Sequence, residues 1–196
     1  MTLRPSLRFS SRKREEKRQL RQRIGYILEG ISKEEWGRRS KNVEKKIRRL
    51  PEYKKAKTIV VYWPLAKEVD LRQFIRKAKE EGKTIGLPVL RRRGEIEIFE
   101  FTAEEELVPG KLGIMQPDVR LSRRISLEEI DLVVVPGIAF DKKGNRLGRG
   151  RGWYDELIKL LPARAEIIGV ALAPQVVDSL PIEPYQDEKV RRVITA

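Results

Sequence analysis

The sequence predicts a single α/β domain, a Rossmann-like three-layer sandwich in which a mainly parallel, mixed-edge sheet is covered by helices on both faces. Its 196 residues suit one ordinary domain. From residue 58 onward, strand-like and helix-like segments alternate along the chain, which is typical of βα units. Some strand-like segments, such as 132–135, are continuously apolar, as expected for parallel strands buried on both faces.

The N-terminal part is predicted to be helical after a short tail. Residues 1–12 are basic and show no helical period, so we expect a mobile basic tail before a single domain of residues 13–196. Apolar residues at helical spacing predict a first helix over 13–28. A Ser-x-x-Glu capping-box spacing begins a second helix over 32–50, and the proline that follows ends it.

The rest of the chain is predicted to alternate strands with helices. Apolar, β-branched and aromatic runs indicate strands, and apolar residues three or four positions apart indicate helices. In chain order we expect strands over 58–63, 83–89, 95–101, 131–135, 167–172 and 190–195, with helices over 69–81 and 153–161. The segment 95–101 alternates Glu with Ile and Phe, so we expect it to be a half-exposed edge strand.

The composition excludes several kinds of chemistry. The chain has no cysteine and no histidine, so disulfides, thiolate nucleophiles, histidine-containing triads and the usual zinc sites are excluded. Any reaction must use carboxylates, cations, backbone amides, tyrosines or hydroxyls. No apolar run approaches the roughly 20 residues that cross a bilayer, and the N-terminus lacks the apolar core of a secretory signal. We therefore expect a cytoplasmic protein without a membrane partner.

The charge is strongly positive, with 43 Lys and Arg against 29 Asp and Glu and a formal net charge of +14. Half of this excess lies within residues 1–24. Such a charge fits RNA, and it fits a small polyanion such as a nucleotide equally well. Charge alone does not decide between these ligands.

The glycine-arginine loop, residues 146–152, is the most informative segment. It follows a predicted buried strand, precedes a predicted helix, and alternates arginines with Gly148, Gly150 and Gly152. Glycines allow backbone amides to converge on one point, and arginines provide planar forks for phosphate oxygens. The loop matches neither the Walker string nor the dinucleotide fingerprint. We therefore interpret it as a polyphosphate site, with a solvated hairpin and an RNA-binding arginine-glycine segment as alternatives.

Three further features of the sequence could complete such a site. Lys17 and Arg21 continue the apolar stripe of the first helix, so they either cover the edge of the core or face a phosphate. Asp155, just inside the predicted helix after the loop, could hold Mg²⁺. Trp63 and Glu68 follow the first predicted strand. They could hold a planar ring by stacking and hydrogen bonds; alternatively, Trp63 belongs to the core and Glu68 or Asp70 caps the next helix.

Five segments of the chain, in order, resemble the 5-formyltetrahydrofolate cyclo-ligase family, also called 5,10-methenyltetrahydrofolate synthetases. They are Lys17–Arg21, Tyr62–Asp70, Leu112–Pro117, Val135–Asp155 and Leu180–Val193. The resemblance implies an enzyme of folate one-carbon metabolism. Such an enzyme uses ATP and Mg²⁺ to convert 5-formyltetrahydrofolate, with or without a polyglutamate tail, to 5,10-methenyltetrahydrofolate, and it releases ADP and phosphate. It also implies no specific nucleic-acid partner, and we expect a monomer.

The same resemblance assigns roles to residues. It implies ATP binding by Lys17, Arg21, Arg146, Leu147, Gly148, Arg149, Gly150, Arg151, Gly152, Trp153 and Tyr154. It implies substrate binding by Trp63, Glu68, Arg149, Gly150, Arg151, Gly152 and Trp153. Asp155 and Asp187 would be the metal carboxylates, and Arg149, Lys17 and Arg21 would be the catalytic cations.

Overall fold

The computed structural model describes residues 5–91, 95–182 and 187–196. Its helices are α1 (Pro5–Glu29), α2 (Lys33–Arg49), α3 (Pro51–Lys55), α4 (Arg72–Glu80) and α5 (Trp153–Leu160). Its strands are β1 (Thr58–Val60), β2 (Thr84–Leu90), β3 (Ile96–Glu100), β4 (Leu107–Pro109), β5 (Met115–Pro117), β6 (Arg124–Ile125), β7 (Leu132–Pro136), β8 (Ala139–Asp141), β9 (Arg146–Leu147), β10 (Glu166–Ala171), β11 (Val176–Val177) and β12 (Arg192–Thr195).

The central sheet has seven strands in the order β12-β10-β7-β1-β2-β3-β6. The first five of these strands are parallel to one another. β3 is antiparallel to β2, and β6 is antiparallel to β3. The predicted mainly parallel sheet with a mixed edge is therefore confirmed.

Side chains on the two faces of the sheet enter two separate apolar clusters. Leu132 and Val134 of β7 pack on the side of α1, α2 and α4. The alternate residues Val133 and Val135 pack on the side of α5. Since successive residues of a strand point to opposite faces, both faces of the sheet are covered, as the continuous apolar runs predicted.

The structure corrects the edge-strand prediction for residues 95–101. This segment forms β3, but β6 pairs with its outer side, with Ile98 opposite Ile125. β6 is only two residues long, and so short a strand has no period that sequence reasoning could detect. β6 is therefore the edge of the sheet.

The structure also corrects the N-terminal tail. α1 begins at Pro5, so residues 5–12 are helical and the prediction of a tail without helical structure is wrong for them. Proline is tolerated in the first turn of a helix, because its missing N–H would have no intrahelical partner there. Residues 1–4 lie outside the described part of the chain. The predicted end of the second helix at the proline is confirmed, because α2 stops at Arg49 and Leu50 is extended; Pro51 then begins the short helix α3.

No helix within the described ranges is both long and apolar enough to cross a membrane.

Candidate active site

A cavity of about 1000 Å³ opens at the carboxyl ends of β1, β2 and β7. Ligands of parallel α/β sheets bind at this end of the strands. All residues assigned a role from the sequence line this one cavity: Lys17, Arg21, Trp63, Glu68, Arg146, Leu147, Gly148, Arg149, Gly150, Arg151, Gly152, Trp153, Tyr154, Asp155 and Asp187. The fold thus brings together segments that are up to 170 residues apart in sequence.

The glycine-arginine loop is supported by the β8–β9 hairpin. The buried carboxylate of Asp141 accepts hydrogen bonds from the amides of Lys143, Asn145 and Leu180 at 2.9, 3.0 and 3.1 Å. It also accepts a hydrogen bond from the side-chain Nδ2 of Asn145 at 2.7 Å. Burial raises the pKa of Asp141, but these hydrogen bonds outweigh burial and hold it below its ordinary value of 3.8. The hairpin is therefore organised around one ionised carboxylate.

Two glycines of the loop have backbone conformations that other residues rarely adopt. Gly150 has φ +90° and Gly152 has φ +70°, and both values lie in the left-handed region that glycine tolerates. Gly152 is also the N-cap residue of α5, which has no side-chain cap. The N-terminus of α5 therefore meets the cavity directly, and Arg149 beside it has an exposed side chain.

α1 contacts this loop through its two predicted cations. Lys17 Nζ lies 2.6 Å from Asp187 Oδ2. Arg21 Nε donates to the carbonyl of Gly148 at 2.9 Å. Burial lowers the pKa of Arg21, while the charge of Asp187 opposes this shift. Both cations line the cavity, and that they face a phosphate there stays a prediction.

Arg146 occupies a different position from Arg149. Its side chain is only 4% exposed, and its Nη2 donates to Asp155 Oδ1 at 2.9 Å. Its guanidinium lies 5.5 Å from the ring centroid of Tyr154, and its buried Nε has no hydrogen-bond partner among the described residues. Arg146 thus forms part of the floor of the site, whereas Arg149 stands at its mouth.

The two predicted metal carboxylates lie on neighbouring segments. Asp155 Oδ1 accepts a hydrogen bond from the amide of Glu188 at 3.1 Å, so the residue next to Asp187 contacts Asp155. No group of three or more acidic side chains suited to a metal occurs in the described part of the chain. Mg²⁺ in nucleotide sites takes one or two carboxylates and completes its shell with phosphates and water. The donor set therefore fits Mg²⁺ bound together with a phosphate ligand.

Trp63 and Glu68 line the same cavity as the loop. Trp63 packs 5.7 Å from the ring of Phe101. Glu68 Oε2 accepts from the amide of Leu65 at 3.0 Å, and Glu68 Oε1 lies 3.2 Å from Arg149 Nη2. α4 begins later, at Arg72, with no side-chain cap. Glu68 is therefore not a helix cap, and its carboxylate belongs to the cavity.

Comparison with known proteins agrees with this arrangement. The model of the 5-formyltetrahydrofolate cyclo-ligase family matches residues 13–196. The chain belongs to this family. It is 31% identical to the 5-formyltetrahydrofolate cyclo-ligase of Mus musculus, over 91% of this chain and 92% of the relative. It is 27% identical to that of Haemophilus influenzae, over 87% of this chain and 93% of the relative.

Two solved structures share the cyclo-ligase fold of this chain. The 5,10-methenyltetrahydrofolate synthetase of Aquifex aeolicus is 35% identical and has a TM-score of 0.80, with 91% of this chain and 89% of that chain covered. The synthetase of Mycoplasma pneumoniae has a TM-score of 0.73 at 23% identity, with 91% and 97% covered. The second likeness concerns the fold alone.

The cyclo-ligase cavity has an apolar end that sequence reasoning missed. It is lined by Pro88 and Leu90 of β2, Ile96 of β3, and Ile114 and Met115 at β5. Residues 112–117 were recognised as a family segment, but nothing local in them indicated a role. Residues 92–94, which follow β2, lie outside the described part of the chain. An apolar residue looks the same in sequence whether it faces a core or a ligand.

Proposed function

We propose that the protein is a cytoplasmic enzyme that uses ATP and Mg²⁺ to cyclise 5-formyltetrahydrofolate to 5,10-methenyltetrahydrofolate, with release of ADP and phosphate. The observation that carries this proposal is that three separate groups of residues line one shared cavity. The cations of α1, the glycine-arginine loop and the pair Trp63 and Glu68 all line it. Family membership adds the chemistry that such a cavity would serve.

ATP would bind where α1 meets the loop. Lys17, Arg21 and Arg149 bring three positive charges to the cavity, and the N-terminus of α5 adds unpaired amides and a partial positive charge. Gly148, Gly150 and Gly152 give a polyphosphate close access to the backbone. Arg146 would add charge from beneath the loop, while Leu147, Arg151, Trp153 and Tyr154 complete the nucleotide side.

The folate would bind across the loop. Glu68 has a side chain only 11% exposed, so it can accept hydrogen bonds from a pterin ring in a partly dry site. Trp63 offers a ring surface beside it. We place the γ-phosphate and the formyl group together at a segment of the loop that would contact both substrates, which comprises Arg149, Gly150, Arg151, Gly152 and Trp153. The apolar end of the cavity would cover the uncharged part of the substrate.

The reaction needs no nucleophilic side chain. The formyl oxygen attacks the γ-phosphorus and ADP leaves, which gives an N5-bound imidate phosphate. N10 then attacks the former formyl carbon, loses its proton, and the carbon–oxygen bond breaks to release phosphate with the original formyl oxygen. Phosphoryl transfer depends mainly on positioning and on neutralisation of charge. Arg149, Lys17 and Arg21 would provide that neutralisation.

Asp155 and Asp187 would hold Mg²⁺ beside the phosphates. Bound there, the ion would supply positive charge that neutralises the phosphates of ATP. Arg146 and Lys17 hold the two carboxylates in place. All residues of the proposed site belong to one chain, so the monomer would be active. Exposed cations that line the cavity, such as Lys67, would attract the carboxylates of a polyglutamate tail.

A spectrophotometric assay tests this proposal. Methenyltetrahydrofolate absorbs in the near ultraviolet, so its absorbance should appear when the purified protein, ATP, Mg²⁺ and 5-formyltetrahydrofolate are all present. Omission of any one component should abolish the signal. Product formation without ATP, or none in the complete mixture, would contradict the proposal.

A further inference from the structure

The turn that carries Glu68 has a backbone that its own sequence does not favour. Lys67 has φ +66°, the only positive φ of a non-glycine residue in the described ranges. L-residues other than glycine disfavour this left-handed region. The turn closes on itself through a hydrogen bond from the amide of Glu68 to the carbonyl of Leu65 at 3.1 Å. Such a conformation persists only where surrounding groups hold it.

Three side chains from outside the turn hold its backbone at consecutive residues. Trp36 Nε1 donates to the carbonyl of Glu68 at 3.0 Å. Tyr62 Oη donates to the carbonyl of Val69 at 2.9 Å, and Ser40 Oγ accepts from the amide of Asp70 at 3.0 Å. Trp36 and Ser40 are four residues apart on α2, so they project from one face of that helix.

These contacts connect α2 to the carboxylate of Glu68, which is proposed to bind the substrate. Neither Trp36 nor Ser40 lines the cavity, and Ser40 is buried. Trp36 Nε1 binds the same residue whose Oε2 accepts from Leu65 and whose Oε1 meets Arg149. A hydrogen bond to its carbonyl restricts the backbone torsions from which the carboxylate projects. A displacement of the carboxylate by 1 Å would weaken paired hydrogen bonds to a ring.

We propose that Trp36, assisted by Ser40, is a positioning residue that acts through Glu68 and sets the affinity of the site for folate. This inference rests on the proposed function, because it takes Glu68 as the folate-binding carboxylate. Trp36 does not touch the cavity, so its effect is transmitted by the backbone of the turn. The nucleotide end of the site is held by α1 and the β8–β9 hairpin. Its contact with Glu68 is made by Arg149, whose side chain is 54% exposed, so we expect the affinity for ATP to depend little on this connection.

The test uses Trp36→Phe, which keeps an aromatic ring against the core and removes the N–H donor. A neutral hydrogen bond of this kind corresponds to roughly a fivefold change in an equilibrium constant. We expect KM for 5-formyltetrahydrofolate to rise about fivefold, with KM for ATP unchanged. Quenching of the remaining Trp63 and Trp153 fluorescence by 5-formyltetrahydrofolate measures the same loss of affinity without turnover.

Tyr53→Phe is the matched control. It likewise removes one donor from an aromatic side chain, because Tyr53 Oη donates to Glu81 Oε2 at 2.7 Å, but Tyr53 is buried and does not line the cavity. It should lower the melting temperature and leave both KM values unchanged. Ser40→Ala provides a second variant if Trp36→Phe does not fold, and it should raise KM for folate in the same direction.

The outcomes separate this inference from the proposed function. A wild-type protein without cyclo-ligase activity contradicts the proposed function. An active wild-type protein whose Trp36→Phe and Ser40→Ala variants keep the wild-type folate KM and quenching curve overturns the positioning role. Equal rises in the KM values for folate and ATP would also overturn it, because they would indicate general distortion of the site.

Discussion

Arg149 Nη2 lies 3.2 Å from Glu68 Oε1, and this contact joins the loop after β9 to the loop after β1, 81 residues away. The two side chains differ in environment: that of Arg149 is 54% exposed, and that of Glu68 is 11% exposed. In the proposed function, Arg149 binds the γ-phosphate of ATP and Glu68 binds the pterin ring. The ion pair therefore lies at the point where the two substrates would meet.

Replacement of Arg149 should affect catalysis and leave stability unchanged. An exposed ion pair contributes about 0–1 kcal/mol to folding, whereas one lost transition-state contact typically costs about 10²- to 10³-fold in rate. We expect Arg149→Ala to lower kcat/KM by about that factor with an unchanged melting temperature. Arg120→Ala, which removes an exposed arginine paired with Asp118, is the control and should keep full activity. Full ATP-dependent turnover by Arg149→Ala would refute its role.

Replacement by alanine should destabilise the fold to different extents at two glycines that have the same φ. Gly144 and Gly82 both have φ +79°, but a Cβ at Gly144 would lie 2.2 Å from the carbonyl oxygen of Val190, while a Cβ at Gly82 would meet nothing within 4 Å. Gly82→Ala should cost about 1–2 kcal/mol from its backbone conformation alone. Gly144→Ala should cost at least a further 1–3 kcal/mol or so, because the backbone must shift. Urea unfolding measures both, and equal losses would contradict the predicted clash.

The free energy of unfolding should fall in acid. Hydrogen bonds hold the pKa values of Asp141 and Asp131 below 3.8 in the folded state, despite the opposing effect of burial. A lowered folded-state pKa stabilises the fold above the unfolded value of about 3.8, and this stabilisation is lost as the pH falls through the folded-state values. Urea midpoints between pH 6 and pH 2 should therefore decrease below about pH 4. In Asp141→Asn, the urea midpoint should decrease less steeply below about pH 4. The same decrease as in the wild type would exclude Asp141 as a contributor to the acid sensitivity.

Removal of Mg²⁺ should abolish turnover. Substitution of the two proposed metal carboxylates should have different effects on the stability of the fold. Asp155 pairs with the buried Arg146, so Asp155→Asn leaves an uncompensated buried charge and should cost roughly 3 kcal/mol of stability. Asp187 pairs with Lys17 in a more exposed setting, so Asp187→Asn should keep most of the stability.

Chelation followed by titration with Mg²⁺ measures the metal requirement, and thermal unfolding measures the stability of both variants. Both variants should need more Mg²⁺ for half-maximal activity. Activity that persists in excess chelator would contradict a metal requirement, and an unchanged Mg²⁺ dependence in both variants would contradict their assignment as ligands.

The sequence by itself predicted six of the seven strands of the central sheet, and it singled out the glycine-arginine loop and the cations of the first helix. Continuous apolar runs such as 132–135 indicate burial on both faces wherever they lie in the chain. The glycine-arginine loop stands out from its consecutive residues, and its binding of a polyphosphate stays a prediction. The helical stripe that contains Lys17 and Arg21 is likewise a local pattern. These features were predictable because each depends on residues only a few positions apart.

Only the tertiary structure decided the rest. The outer strand β6 is two residues long, and its pairing with β3 depends on a distant partner. The contact between Arg149 and Glu68, the hydrogen bond from Trp36 to the backbone of Glu68 and the apolar end of the cavity all join segments far apart in the chain. A local pattern reports which face of an element is apolar, but which distant side chain meets that face is set by how the whole chain packs.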